Sequence, residues 1–137
     1  MTPPPTMPAT DDPTRKPHIL VVDDDPGIRF ALSLKLRTAG FAVSEATDGQ
    51  EGVEWFRSGR ADLVILDVGM PRMDGYSAAR RLAADPTTRG VPVLFLTAQN
   101  LEVPAEIVPE LGRHRFLTKP FSPRDVVATV KALLQGE

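Results

Sequence analysis

His18-Ile-Leu-Val-Val-Asp-Asp-Asp-Pro-Gly27 passes from an apolar run straight into three carboxylates. A short apolar run closed off by polar punctuation reads as a strand buried on both faces. Asp25 ahead of Pro26 then reads as a helix N-cap, since proline at the first helical position gives up only a donor that has no partner there. Ile28, Leu32 and Leu36 recur every four residues, and Gly40 follows as a C-terminal cap. A strand thus feeds a helix, and the acids sit at the junction.

The same texture repeats down the chain. Ala61-Asp-Leu-Val-Ile-Leu66 and Val91-Pro-Val-Leu-Phe-Leu96 read as buried strands, the alternating Phe41-Ala-Val-Ser-Glu45 as an edge strand, and Arg115-Phe-Leu-Thr118 as a fifth. Asp48 can cap a helix carrying Val53 and Phe56 and ended by Gly59, and Asp74 one that runs to Ala84 before Asp85-Pro86. Ser122-Pro123 opens a last helix with an apolar stripe of Val126, Val127, Val130, Leu133 and Leu134. Residues 100–111 should be helical by position, but Pro104 and Pro109 predict a helix that is short, kinked or begins near Pro104. Strand and helix alternating five times imply an α/β fold, a parallel sheet with helices on both sides.

Bulk properties narrow the function. A chain of 137 residues has room for one domain with a sizeable core. With 16 basic and 18 acidic side chains, it offers no electrostatic case for nucleic-acid binding. The absence of cysteine rules out disulfides, thiolate catalysis and Cys-type zinc sites, and fits a reducing, cytoplasmic setting. No run approaches the roughly 18 apolar residues of a membrane span, and the N-terminus lacks a signal-peptide plan. Met1 to Pro17 holds six prolines instead, so residues 1–16 are expected to be a disordered leader and 17–137 the folded domain.

In a doubly wound sheet, ligands bind beyond the carboxyl ends of the strands, where strand order reverses. Here those ends carry Asp23-Asp24-Asp25, Asp67, Thr97 and Lys119. Were the order 2-1-3-4-5, the first and third strands would be neighbours about 4.8 Å apart and their carboxylates would converge. Carboxylates that close raise one another's pKa, and a hard divalent cation relieves the repulsion. Mg²⁺ is the natural candidate, with Mn²⁺ as a substitute. A metal, a carboxylate, a hydroxyl and an ammonium around one point make a phosphoryl-transfer site. Asp67 would attack phosphorus, Lys119 would neutralise oxygen charge, and Thr97 would hydrogen-bond a phosphoryl oxygen.

Val22-Asp-Asp-Asp25, Leu66-Asp-Val-Gly-Met-Pro-Arg-Met-Asp-Gly75, Leu96-Thr-Ala98 and Phe116-Leu-Thr-Lys-Pro-Phe121 resemble the signature blocks of bacterial two-component response-regulator receiver domains, of the chemotaxis-regulator kind. The resemblance covers about residues 17 to 135 in the family's order and spacing. It implies the flavodoxin-like fold, with a five-stranded parallel sheet of order 2-1-3-4-5 and five helices. It implies Asp67 as phosphoacceptor, and Asp23, Asp24, Asp67 and the backbone carbonyl of Gly69 as metal ligands, Asp24 foremost of the acidic pair. Thr97 and Lys119 match the phosphate-sensing pair, Phe116 the aromatic switch residue, and Lys119-Pro120 a peptide bond that is usually cis. The implied partners are a sensor histidine kinase or histidine phosphotransfer protein as donor and a protein target downstream. Neither nucleic-acid contact nor membrane insertion is implied. Phenylalanine at 116, where many relatives have tyrosine, removes a hydroxyl. Gly69 and Gln99 stand where side chains influence acyl-phosphate hydrolysis, which leaves the phosphorylated lifetime open.

Blander readings apply elsewhere. Asp48, Asp62, Asp85 and Asp125 read as caps or solvated charges, as Asp74 does ahead of its helix. His18 and His114 have no metal-ligand company, and one of Trp55 and Phe56 should pack while the other is partly exposed. Arg113 and Arg115 should be solvated. Two rival functions compete with the switch. Asp23-x-Asp25 fits a haloacid-dehalogenase-type phosphatase, with Asp23 as nucleophile and Asp25 as acid/base, but no later acidic pair or cap insertion follows. A pseudo-receiver would be a binding module needing none of the five polar side chains. The expected function is a single-domain regulator that catalyses its own phosphorylation and dephosphorylation rather than an enzyme. A receiver piece of a longer regulator is the alternative, and the kinase, output partner and oligomeric state stay open.

Overall fold

Five strands form one parallel sheet: β1 (His18–Val22), β2 (Ala42–Ala46), β3 (Leu63–Asp67), β4 (Val93–Thr97) and β5 (His114–Thr118). Their order is β2-β1-β3-β4-β5. A computed structural model describes residues 16–69, 74–97 and 112–136 of the chain. Four helices lie among these residues: α1 (Pro26–Thr38), α2 (Gly49–Trp55), α3 (Gly75–Ala84) and α4 (Pro123–Leu134). The helix expected at 100–111, with Pro104, Pro109 and the nearby Gln99, lies outside the described residues, as do residues 1–15 of the segment expected to be a disordered leader. The fold is flavodoxin-like, and among the described residues no helix is long and apolar enough to cross a membrane.

Side chains alternate across the pleat, so each central strand feeds two cores. Ile19, Val21, Ile65, Leu94 and Leu96 face α1 and α4, meeting Leu32, Leu36, Val126, Val130 and Leu133. Leu20, Val22, Val64, Leu66 and Phe95 face the other way, against Ala78, Ala79 and Leu82 of α3. β3 and β4 are buried along their whole length. That double burial is why the sequence shows unbroken apolar runs there rather than alternation.

The helix ends follow local chemistry. Asp25 caps α1 by accepting from the Gly27 and Ile28 amides at 2.8 and 3.2 Å. Past α1, Gly40 takes φ +101°, a conformation that needs glycine. Asp48 caps α2, accepting from Glu51 N at 2.8 Å, and is itself buried rather than solvated. Asp74 caps α3 through Ser77 N at 2.8 Å. α4 opens with a reciprocal capping box between Ser122 and Asp125.

Several expectations shift. β3 and β4 begin two residues later than their apolar runs: Asp62 instead accepts from His18 N at 2.7 Å, and Pro92 has no N–H to give a ladder. α2 ends at Trp55, so Phe56 is its C-cap rather than a helical residue. Trp55 and Phe56 are both half-buried, packed edge to face at 5.1 Å. Arg113 is not a merely solvated charge. Its guanidinium donates to the Leu133 carbonyl, satisfying a C-terminal acceptor of α4.

Candidate functional site

β1 pairs with β3 in register from Ile19↔Leu63 to Val22↔Leu66. The residues that leave the two strands, Asp23 and Asp67, therefore emerge side by side at the point where strand order reverses. One carboxylate oxygen from each of Asp23, Asp24 and Asp67 lies within 4.8 Å of the others. Asp23 and Asp67 are buried and Asp24 is exposed, so the cluster opens to solvent through Asp24. Asp25, the third acid of the run, does not join it. Its carboxylate is turned to the α1 amides, which leaves the phosphatase reading without its acid/base.

The β1 terminus is pinned from three directions. Asp23 N donates to Ala46 O at 3.1 Å, and Asp25 N donates to Asp23 Oδ1 at 2.9 Å. Arg29 donates to the Asp23 carbonyl at 2.8 Å and to Glu45 Oε1 at 3.0 Å. One guanidinium thus ties α1, the acidic loop and the edge strand together. Arg29 carries no motif in the sequence. Its role depends on the parallel pairing of Val21 with Glu45, which no local pattern reveals.

Asp23 Oδ2 is buried without a hydrogen-bond partner among the described residues. Burial pushes the Asp23 carboxyl up to about 6, the Asp67 and Asp24 charges push the same way, and the Asp25 amide and Lys119 oppose them. A buried, unpartnered oxygen facing two further carboxylates suits a hard cation with oxygen ligands. These residues fit Mg²⁺.

Lys119 and Thr97 come from the far side of Asp67. Lys119 Nζ stands 3.4 Å from Asp67 Oδ1, longer than the roughly 2.7–2.9 Å of a tight charge-assisted bond. Its backbone N donates to Thr97 O at 2.8 Å, which fixes the two residues relative to each other. The Lys119–Pro120 peptide bond is cis. Thr97 is buried at the end of β4, one residue beyond the Asp67↔Leu96 pair. Gly69 is exposed two residues after Asp67, and its N–H points to Asp67 Oδ1 at 3.3 Å.

Gly75 brings α3 against the same corner. A Cβ there would lie 2.5 Å from the Asp67 carbonyl oxygen, so only glycine permits this approach. Phe116 is half-buried on β5, stacked on Phe95 with ring centres 4.9 Å apart, and Phe95 in turn meets Tyr76 of α3 at 5.3 Å. Tyr76 was given no role by the sequence. Its ring continues the aromatic row on the face of β4 that also carries Thr97.

Residues 19–131 match the response regulator receiver domain family. The chain belongs to that family. Receiver domains are signalling switches of the two-component kind that bind Mg²⁺ in a cluster of aspartates, and this chain has such a cluster in Asp23, Asp24 and Asp67. It is 38% identical over 120 residues to the DNA-binding dual master transcriptional regulator RpaA of Synechocystis, covering 87% of this chain and 49% of that one. The chain spans about half the length of the curated relatives it matches. Among solved structures, the signal receiver domain of a signal transduction histidine kinase from Syntrophus aciditrophicus is 35% identical, with TM-score 0.76 and coverage of 88% and 91%. The receiver domain of the sensor histidine kinase PA1611 from Pseudomonas aeruginosa is 30% identical, with TM-score 0.78 and coverage of 89% and 100%. That structure holds a magnesium ion coordinated in its active-site cleft.

Proposed function

We propose that this receiver accepts a phosphoryl group on Asp67 from a phosphohistidine donor and thereby switches its contacts with a downstream protein. One observation carries the reading: Asp23, Asp24 and Asp67 converge within 4.8 Å while the Lys119 ammonium stands 3.4 Å from Asp67. Packing a sheet needs none of these charges, and clustering three like charges costs stability. In the transfer, an Asp67 carboxylate oxygen forms a bond to phosphorus as the bond from phosphorus to the donor imidazole nitrogen breaks. That nitrogen keeps the electron pair.

Asp23, Asp24, Asp67 and the Gly69 carbonyl would hold Mg²⁺, which supplies charge neutralisation at the phosphoryl oxygens. Lys119 adds a second positive charge on the opposite side, and the Thr97 hydroxyl donates to a phosphoryl oxygen once it is present. Phe116 then senses the movement of Thr97. A single-domain regulator and the receiver of a longer one would share this chemistry, and the half-length match to transcriptional regulators supports the second as an alternative setting.

Incubation with acetyl phosphate or phosphoramidate and Mg²⁺ followed by intact mass tests the reading. One added phosphoryl group that disappears in Asp67→Asn is expected. No gain, or a gain that survives Asp67→Asn, overturns it.

A further inference from the structure

Tyr76 presents a feature that neither the phosphoacceptor reading nor simple packing uses. Its ring is half-buried against Phe95, yet its hydroxyl oxygen is buried and has no hydrogen-bond partner among the described residues. A buried phenol without a partner forfeits its water and gains nothing in return, and phenylalanine would pack the same ring more favourably. The phenol stays protonated, because burial raises its pKa, with the adjacent Thr97 side chain opposing. The hydroxyl is therefore a donor. The Thr97 side chain lies within reach of it.

The surroundings place this donor behind the site. Phe95 and Thr97 are two residues apart on β4 and share a face of the sheet, so the ring that covers Phe95 carries its hydroxyl toward Thr97. Gly75, the preceding residue, is pressed against the Asp67 carbonyl, and Gly75 N donates to Val68 O at 3.3 Å. Tyr76 thus rides on the backbone that carries the phosphoacceptor. The ring stack continues from Phe95 to Phe116, where the aromatic residue has no hydroxyl of its own.

We propose that Tyr76 is a positioning residue for the phosphorylated state: its hydroxyl, idle at rest, donates to Thr97 Oγ when Thr97 turns to donate to the phosphoryl group. The inference rests on the phosphoacceptor reading of Asp67. A chain then runs from the Tyr76 O–H to Thr97 Oγ and from the Thr97 O–H to a phosphoryl oxygen. Each bond polarises the next, and the charged terminus strengthens both. The hydroxyl absent from Phe116 on β5 is supplied from α3 instead. Output would then be coupled to α3 as well as to the β4–β5 edge.

Tyr76→Phe separates this role from packing, since the ring is retained. The probe is beryllofluoride with saturating Mg²⁺, a phosphoryl mimic, followed by titration calorimetry and fluorine NMR. Tyr76→Phe should weaken beryllofluoride binding about three- to ten-fold, the range of one net hydrogen bond. Mg²⁺ affinity alone should be unchanged, and the melting temperature of the unliganded protein should be equal or higher. Thr97→Ala should weaken binding by itself, and adding Tyr76→Phe to it should cost nothing more. Equal beryllofluoride affinity of Tyr76→Phe and the unsubstituted chain, or full additivity with Thr97→Ala, overturns the proposal while Asp67 keeps its role. Failure of the unsubstituted chain to bind beryllofluoride overturns both.

Discussion

The middle of the sheet and its carboxyl edge are built on opposite principles. Along Ile19–Val22 of β1, Leu63–Leu66 of β3 and Val93–Leu96 of β4 the side chains are apolar and essentially unexposed, and each of these three strands is paired on both sides. One residue beyond β1, and at the last residue of β3, two buried carboxylates lie close together, with a third beside them and one oxygen without a hydrogen-bond partner among the described residues. The first region is built for burial, and the second gathers like charges at a cost in stability. The contrast teaches that the carboxyl edge is tolerable because the region beneath it holds a large surplus of apolar burial.

Substitutions can break that contrast from either side. The largest effect belongs to the centre: Ile65→Ala empties a site with no exposure and should cost about 2–5 kcal/mol in urea unfolding. Opposite in sign is Asp23→Asn. The Asp23 carboxyl is raised from 3.8 to about 6, chiefly by burial, so the folded chain holds a proton that the unfolded chain releases. Its contribution to stability is present below about pH 4 and is lost as pH rises through about 6. Asp23→Asn should therefore stabilise the metal-free protein at neutral pH, on the order of 1–2 kcal/mol after discounting for hydration and for its Asp24, Asp67 and Lys119 neighbours. The same substitution should weaken Mg²⁺ binding in calorimetry. Saturating Mg²⁺ should reverse the slope of stability with pH in the unsubstituted chain, because the cation takes the carboxylate.

Two smaller effects sharpen the comparison away from the site. Ser122→Ala removes half of the α4 capping box and should cost about 1 kcal/mol by thermal or urea melting. Ser33→Ala in α1 should be neutral or slightly stabilising, since the Ser33 hydroxyl is buried with no partner among the described residues. A large loss there would mean that Ser33 holds an interaction the packing does not explain.

What the sequence made legible follows the same division. Strand ends could be read because apolar runs stop abruptly at Asp23, Asp67, Thr97 and Lys119, and the caps could be read because Asp25, Asp48, Asp74 and Ser122 act on amides two or three residues away. Strand starts were displaced where Asp62 and Pro92 answer to neighbours brought in by the sheet. The Asp62 partner, His18, is 44 residues distant in sequence. Arg29, Arg113 and Tyr76 were not legible, since each acts across strand pairing or helix packing. The resemblance supplied strand order, which hydrophobic periodicity by itself cannot fix.

The turn between β1 and α1 has no slack. Asp23 receives the amide of Asp25, and the Asp25 carboxylate at once seats the first turn of α1, so acid cluster and helix register are set by two residues. Length variation between Val22 and Pro26 would have to displace either the acid cluster or the entire helix. Grafting this loop onto another strand–helix junction therefore demands the same residue count, and homologous chains that differ here by one insertion are poor donors for chimaeras.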